Sequence, residues 1–278
     1  MKRPAVCENR LLGALAILLS QYRLSPYLRA QVGPAQICYR VIGRGEPLIL
    51  IHGLCGSGRW WSRNVDALAQ HFCVYAVDLV GFGASRNRQR FVLRDAAGSI
   101  GQWMRQIGIR RAAVVGHSMG GHIAADLAAE FPERVERLVL VDPVVLPLGQ
   151  NYAQHTIAML REARQMQPSF VPVLLSDALR AGPRTTWQAA RELMETDLRP
   201  KLPSITAPTL VIWGENDALV PLRFGEQLSG YLRYEDLVVI KGAGHNPMWD
   251  RPDTFNQILT EFLQSPAPQA VQFQTGGK

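Results

Sequence analysis

Residues 112–121 read Ala-Ala-Val-Val-Gly-His-Ser-Met-Gly-Gly, and they restrict the fold more than any other stretch. Four apolar residues run into Ser118, which has Gly116 and Gly120 two positions away on either side. Ile123, Ala124, Leu127 and Ala128 then follow at helical spacing. The pattern is a buried strand, a sharp turn and a helix. A turn this tight holds Ser118 in a strained backbone conformation, and a side chain at Gly116 or Gly120 would strike the neighbouring strand or helix. The turn lifts the Ser118 hydroxyl above the sheet edge and aims the Met119 amide, at a helix start, towards whatever Ser118 attacks.

The rest of the chain repeats this alternation. Apolar runs at 47–51, 72–77, 138–141, 209–213 and 237–240, with a further strand at 37–41, read as strands separated by helical stretches. Continuous apolar runs belong to strands covered on both faces, so the expectation is a doubly wound, mostly parallel α/β sheet. The rhythm breaks at Pro143. From 146 to 203 the chain carries helical stretches at 153–166, 171–181 and 185–196, cut by Pro168, Pro172, Pro183 and Pro200. This reads as a helical cap inserted between two parts of the core, 31–145 and 204–264. Residues 1–30 form a basic, apolar N-terminal segment, and 265–278 a tail expected to be disordered. At 278 residues the chain has the length for one such domain.

Serine is a weak nucleophile unless a base takes its proton and an acid orients that base. His245, in Gly242-Ala243-Gly244-His245, follows the last strand and is the candidate base. Asp217, in Gly214-Glu215-Asn216-Asp217, follows the preceding strand and is the candidate acid. Asp142, after the strand before that, is the runner-up acid, and Glu215 a third choice. His71, His117, His122 and His155 are rival histidines. The loop His52-Gly53-Leu54-Cys55-Gly56-Ser57-Gly58 can present backbone N–H groups to an anion. The amide of Leu54 is therefore paired with that of Met119 as an oxyanion hole. His52 is read as a loop-shaping residue, and Asp78 and Ser85 as ties for their own glycine-rich loop. Cys55 is expected to line the same pocket.

Taken together, His52-Gly53, Asp78-Leu79-Val80-Gly81-Phe82-Gly83-Ala84-Ser85, Gly116-His117-Ser118-Met119-Gly120-Gly121, Gly214-Glu215-Asn216-Asp217 and Gly242-Ala243-Gly244-His245 resemble the α/β-hydrolase superfamily from about residue 37 to 263. The resemblance implies an eight-stranded sheet, mostly parallel, and no cofactor. Serine at the turn argues against the dehalogenase and epoxide-hydrolase branches, which use aspartate there. The expected reaction is cleavage of a carboxylic ester of a small molecule through an acyl-enzyme. Hydrolysis of a carbon–carbon bond, an amide or a lactone, acyl transfer, and a non-catalytic binding role on the same scaffold stay open.

The net charge of +7 is unevenly spread. Lys2, Arg3, Arg10, Arg23, Arg29 and Arg40 face only Glu8 within the first 40 residues, and Arg86, Arg88, Arg90 and Arg94 form a second group. The basic residues are not interleaved with aromatics and no nucleic-acid motif accompanies them, so nucleic acid is not an expected partner. The second group reads as a solvated face. The apolar run 11–19 is too short to span a bilayer, which takes about 20 residues. It reads as a helix packed on the domain or lying on an anionic lipid surface, with a signal peptide less consistent with Ser20-Gln21-Tyr22-Arg23. Cys7, Cys38, Cys55 and Cys73 lack metal-ligand or redox spacing, so no metal site is expected and a cytoplasmic protein with reduced thiols is.

Overall fold

The computed structural model describes residue 22 and residues 25–86, 90–147, 152–232 and 235–266, excepting the side chains of 152–155 and 235. The apolar run 11–19, Cys7, Arg88, the side chain of His155 and most of the C-terminal tail lie outside the described residues. Eight strands form one sheet: β1 (Leu28–Val32), β2 (Ala35–Ile42), β3 (Pro47–Ile51), β4 (Cys73–Asp78), β5 (Ala112–His117), β6 (Val135–Val141), β7 (Thr209–Gly214) and β8 (Glu235–Ile240). Their order is β1-β2-β4-β3-β5-β6-β7-β8. β2 pairs antiparallel with both β1 and β4, and every later pairing is parallel.

β1 has no counterpart in the sequence reading, and the sheet begins before residue 30. Its sequence, Leu-Arg-Ala-Gln-Val, buries only Ala30 and Val32. An edge strand with one covered face carries half the apolar signal of a central one. A turn at Gly33, with φ 54°, returns the chain into β2.

Side-chain alternation divides the core. Ile49 and Ile51 of β3 join Val114 of β5, with Trp103 and Ile123, on one face. Leu48, Leu50 and Val115 meet Leu68, Phe255 and Leu259 on the other. Helices α2 (Ala96–Gln106) and α3 (Met119–Glu130) therefore cover the first face, and α1 (Val65–Leu68) and α9 (Pro252–Gln264) the second. Each fully buried large apolar side chain contributes roughly 1.5–3 kcal/mol, which offsets the ordering of the chain.

Between β6 and β7 the chain makes three cap helices, α4 (Tyr152–Gln165), α5 (Val171–Ala181) and α6 (Pro183–Glu195). α7 (Arg223–Ser229) and the short α8 (Pro247–Asp250) complete the set. Because β5 to β8 run parallel and adjacent, the loops after them open at one sheet edge, where an open α/β sheet binds its ligands.

Candidate active site

Ser118 links β5 to α3 with φ 54° and ψ −115°. A non-glycine residue there costs about 1–3 kcal/mol and persists only where its surroundings enforce it. Here the Ser118 N–H donates to the Val141 carbonyl at 2.9 Å, and its own carbonyl accepts from His122 N–H at 3.1 Å. A Cβ on Gly116 would sit 2.1 Å from the Gly120 carbonyl oxygen, and one on Gly120 2.4 Å from that of Ile51. Both contacts are with backbone, which cannot rotate away, so glycine is required at each.

The Ser118 Oγ lies 3.0 Å from His245 Nε2, and His245 Nδ1 lies 2.7 Å from Asp217 Oδ2. With Nδ1 protonated, the hydroxyl donates to Nε2 and Nδ1–H donates to the carboxylate. Asp217 Oδ1 accepts from the Leu219 and Val220 amides at 2.8 and 2.9 Å, which fixes the carboxylate plane. Burial disfavours a charged imidazole at His245. The Asp217 carboxylate, helped by Glu162 and Asp250, outweighs that, and the pKa rises above the ordinary histidine value. The structure thus brings Ser118, His245 and Asp217 into one hydrogen-bonded line.

The rival residues make other bonds, although Asp142 and His117 lie close to His245. Asp142 is fully buried beside Asp217, with Oδ1 accepting from Gly214 N–H at 2.9 Å. Burial first, and the Asp217 charge second, push its pKa well above the carboxylate range, towards the neutral form. Glu215 accepts from Gly242 N–H at 2.8 Å, in the β8 loop. His117 Nε2 bonds the His245 carbonyl at 2.7 Å, and His122 Nδ1 bonds that of Val144 at 2.9 Å. Burial lowers both histidines. His71 is exposed.

Met119 is the first residue of α3, so its N–H is among those that have no acceptor within the helix. Leu54 follows Gly53 in the loop after β3. His52 shapes that loop: its Nδ1 faces the Gly53 carbonyl at 2.8 Å while Nε2 accepts from Leu79 N–H at 3.1 Å. Asp78 accepts from the amides of Gly58 and Ala84, both at 2.6 Å, and Ser85 Oγ donates to the Asp78 carbonyl. These residues act as the ties their positions suggest. Cys55 has its thiol pushed up to about 12 by burial, with Asp177 adding to it, which makes it a poor nucleophile. Arg86, Arg90 and Arg94 are exposed, as a solvated face would be.

Two cap carboxylates escaped the sequence reading. Glu162 of α4 accepts from His245 N–H at 2.9 Å and Ala218 N–H at 3.2 Å. Asp177 of α5 accepts from Ser57 Oγ at 2.7 Å and pairs with Arg59 at 3.3 Å. An acid on an amphipathic helix is normally a solvated residue, so nothing in the spacing marks either. One oxygen each of Asp142 and Asp217 lies with a His245 nitrogen within 4.8 Å of one another, as ligands of a cation would. The 2.7 Å between His245 Nδ1 and Asp217 fits a shared proton, since a tetrahedral Zn²⁺ would hold its ligands roughly 3.3 Å apart.

An eight-stranded sheet, a strained serine between strand and helix, and an acid and a histidine on later strand loops define an α/β protein of the hydrolase type. Residues 48–258 match the model of the alpha/beta hydrolase family. The chain belongs to that family. It is 31% identical to the pimeloyl-[acyl-carrier protein] methyl ester esterase of Nitrosomonas europaea, over 80% of this chain and 97% of that protein. It is 30% identical to the 2-hydroxy-6-oxo-6-phenylhexa-2,4-dienoate hydrolase of Comamonas testosteroni, over 82% and 91%. The crystal structure of a membrane phospholipase A superposes with a TM-score of 0.76 at 27% identity, covering 92% of this chain and 91% of the other.

Proposed function

We propose that the protein is a serine hydrolase that cleaves carboxylic esters. Ser118 is the nucleophile, His245 the general base and acid, and Asp217 the residue that orients His245. The observation that carries this reading is the line from Ser118 Oγ through His245 to Asp217, at 3.0 and 2.7 Å. As Oγ bonds to the ester carbonyl carbon, its proton passes to His245 Nε2. The carbonyl oxygen takes up the negative charge, which the amides of Leu54 and Met119 stabilise. Collapse expels the alcohol, which leaves with the proton from Nε2. A water molecule, deprotonated by His245, then attacks the acyl-enzyme, releases the acid and regenerates Ser118. The Asp217 carboxylate compensates the imidazolium in both halves. No step calls for a metal or an organic cofactor.

Likeness to the Nitrosomonas esterase supports the ester, and likeness to the Comamonas dienoate hydrolase supports a second reading, cleavage of a carbon–carbon bond beside a ketone. Comparison of wild type with Ser118→Ala on p-nitrophenyl esters, acetyl to dodecanoyl, and on a 2-hydroxy-6-oxodienoate separates them. The ester reading expects ester turnover by wild type and a loss of roughly 10⁴–10⁶-fold in the variant. Turnover of the dienoate alone transfers the machinery to the second reading. Full activity in Ser118→Ala on either substrate overturns both.

No helix among the described residues is long and apolar enough to cross a membrane. Likeness to a membrane phospholipase A keeps surface contact through residues 1–30 as part of this proposal.

A further inference from the structure

A cap helix places a carboxylate behind the triad. Glu162 is only 3% exposed, although α4 has a solvent face on which an acid would cost nothing to hydrate. A buried carboxylate is expensive unless its oxygens are hydrogen-bonded. Glu162 receives three donors: His245 N–H at 2.9 Å, Ala218 N–H at 3.2 Å and Gln165 Nε2 at 2.6 Å. The first two come from the loops that carry the base and the acid. Gln165, one turn along α4, also donates to the Asn216 carbonyl at 2.6 Å. Asp217 is therefore flanked on both sides by residues tied to α4. Gly244 makes room, since a Cβ there would stand 2.7 Å from Glu162 Oε1.

We propose that Glu162 is a positioning residue through which the docked cap completes the triad, by holding the His245 and Asp217 loops in register. The role rests on the serine-hydrolase reading above. It goes beyond that reading in making turnover conditional on the seating of α4, because lifting that helix removes the donors' shared acceptor in one step. The groups that face His245 are His117 from β5, Asp142 and Asp217 from the loops after β6 and β7, Glu162 from α4 and Asp250 from α8. Burial pushes His117 and Asp142 towards their neutral forms. Asp250 is itself pushed towards its neutral form by burial. Asp217, Glu162 and Asp250 all favour the imidazolium, Asp217 most strongly.

The test uses full-length wild type, Glu162→Gln and Glu162→Ala. His245 is titrated by NMR, which needs no substrate, and the labelling rate of Ser118 by a fluorophosphonate is followed against pH. Glu162→Gln keeps the size and an acceptor for His245 N–H, but it removes the charge and puts an N–H₂ group where Oε2 accepts from Ala218 N–H and Gln165 Nε2. The His245 titration and the acid limb of labelling are expected to move down together by about half a pH unit or more. Labelling at the plateau is expected to fall roughly ten-fold in Glu162→Gln and further in Glu162→Ala. An unmoved titration in folded Glu162→Gln overturns the proposal, whether or not the rate falls, since a packing role alone would slow the enzyme without shifting His245. If Glu162→Ala does not fold, Glu162→Gln decides. A wild-type Ser118 that takes no label overturns the serine-hydrolase reading instead, and the His245 titration still reports on Glu162.

Discussion

At the scale of single residues, the two acids beside His245 have opposite chemistry. Asp217 is fixed by two backbone amides and faces the imidazole at 2.7 Å. Asp142 has one amide, from Gly214, and its Oδ2 has no hydrogen-bond partner among the described residues. Asp217→Asn would present an N–H₂ group or a poorer acceptor to Nδ1 and favour the wrong tautomer. Its kcat is expected to fall by about 10⁴. Asp142→Asn keeps an acceptor for Gly214 and carries no charge, the form that burial favours at this position, so its kcat is expected within about ten-fold of wild type. Ester kinetics on the two variants check this, and the reverse ranking would assign the acid to Asp142. The places of Asp217, Asp142 and Glu215 on loops after strands were legible in the sequence, whereas the bond that singles out Asp217 at His245 Nδ1 is seen only in the structure. The upward shift of Asp142 was not legible, because it follows from burial and from the neighbouring charge, neither of which lies near it in sequence.

At the scale of elements, the cap is attached by carboxylates as well as by apolar packing. Asp177 joins α5 to the loop after β3 through Ser57 Oγ, and Arg59 also donates to the Val173 carbonyl. Asp177→Ala leaves the Arg59 charge and the buried Ser57 hydroxyl short of a partner, which costs about 1–3 kcal/mol locally. Hydrogen exchange is expected to speed up in residues 53–59 and 171–181 while β5 and β6 stay protected. Exchange that rises equally in the central strands would mean that Asp177 supports the global fold. The helices of the cap were legible. The spacing predicts 153–166, 171–181 and 185–196, against observed helices over 152–165, 171–181 and 183–195. Pro172 and Pro183 stand in the first turns of α5 and α6, where a missing N–H costs nothing. They open these helices rather than break them. What the cap touches was not legible, since helical periodicity says which face is apolar but not which acid is turned inward.

At the scale of the whole molecule, the loops after β3 and β4 are locked together by a histidine and an aspartate with opposite responses to acid. His52 is fully buried between the Gly53 carbonyl and the Leu79 amide, and burial lowers its pKa to about 4. Its Nε2 must stay unprotonated to accept from Leu79. The unfolded chain takes up that proton near pH 6.5 and the folded one does not, so stability from His52 is lost as pH falls from 6.5 towards 4. The shift corresponds to about 3 kcal/mol. Asp78 works in the other direction, because burial raises its carboxyl to about 6. The folded state takes up that proton first, and stability rises as pH falls from 6 towards 3.8. The two effects oppose each other in wild type, so a single pH curve does not separate them. His52→Gln removes the titrating ring while keeping a donor and an acceptor at the same place. Urea unfolding of both proteins at pH 7, 5.5 and 4 isolates the His52 share. The stability advantage of wild type over the variant is expected to shrink by about 3 kcal/mol across that range. A difference that stays constant with pH would mean that His52 takes up its proton in the folded protein as readily as in the unfolded chain. The Leu79 amide would then have lost its acceptor, and the loop that presents Leu54 would be held by Asp78 without it.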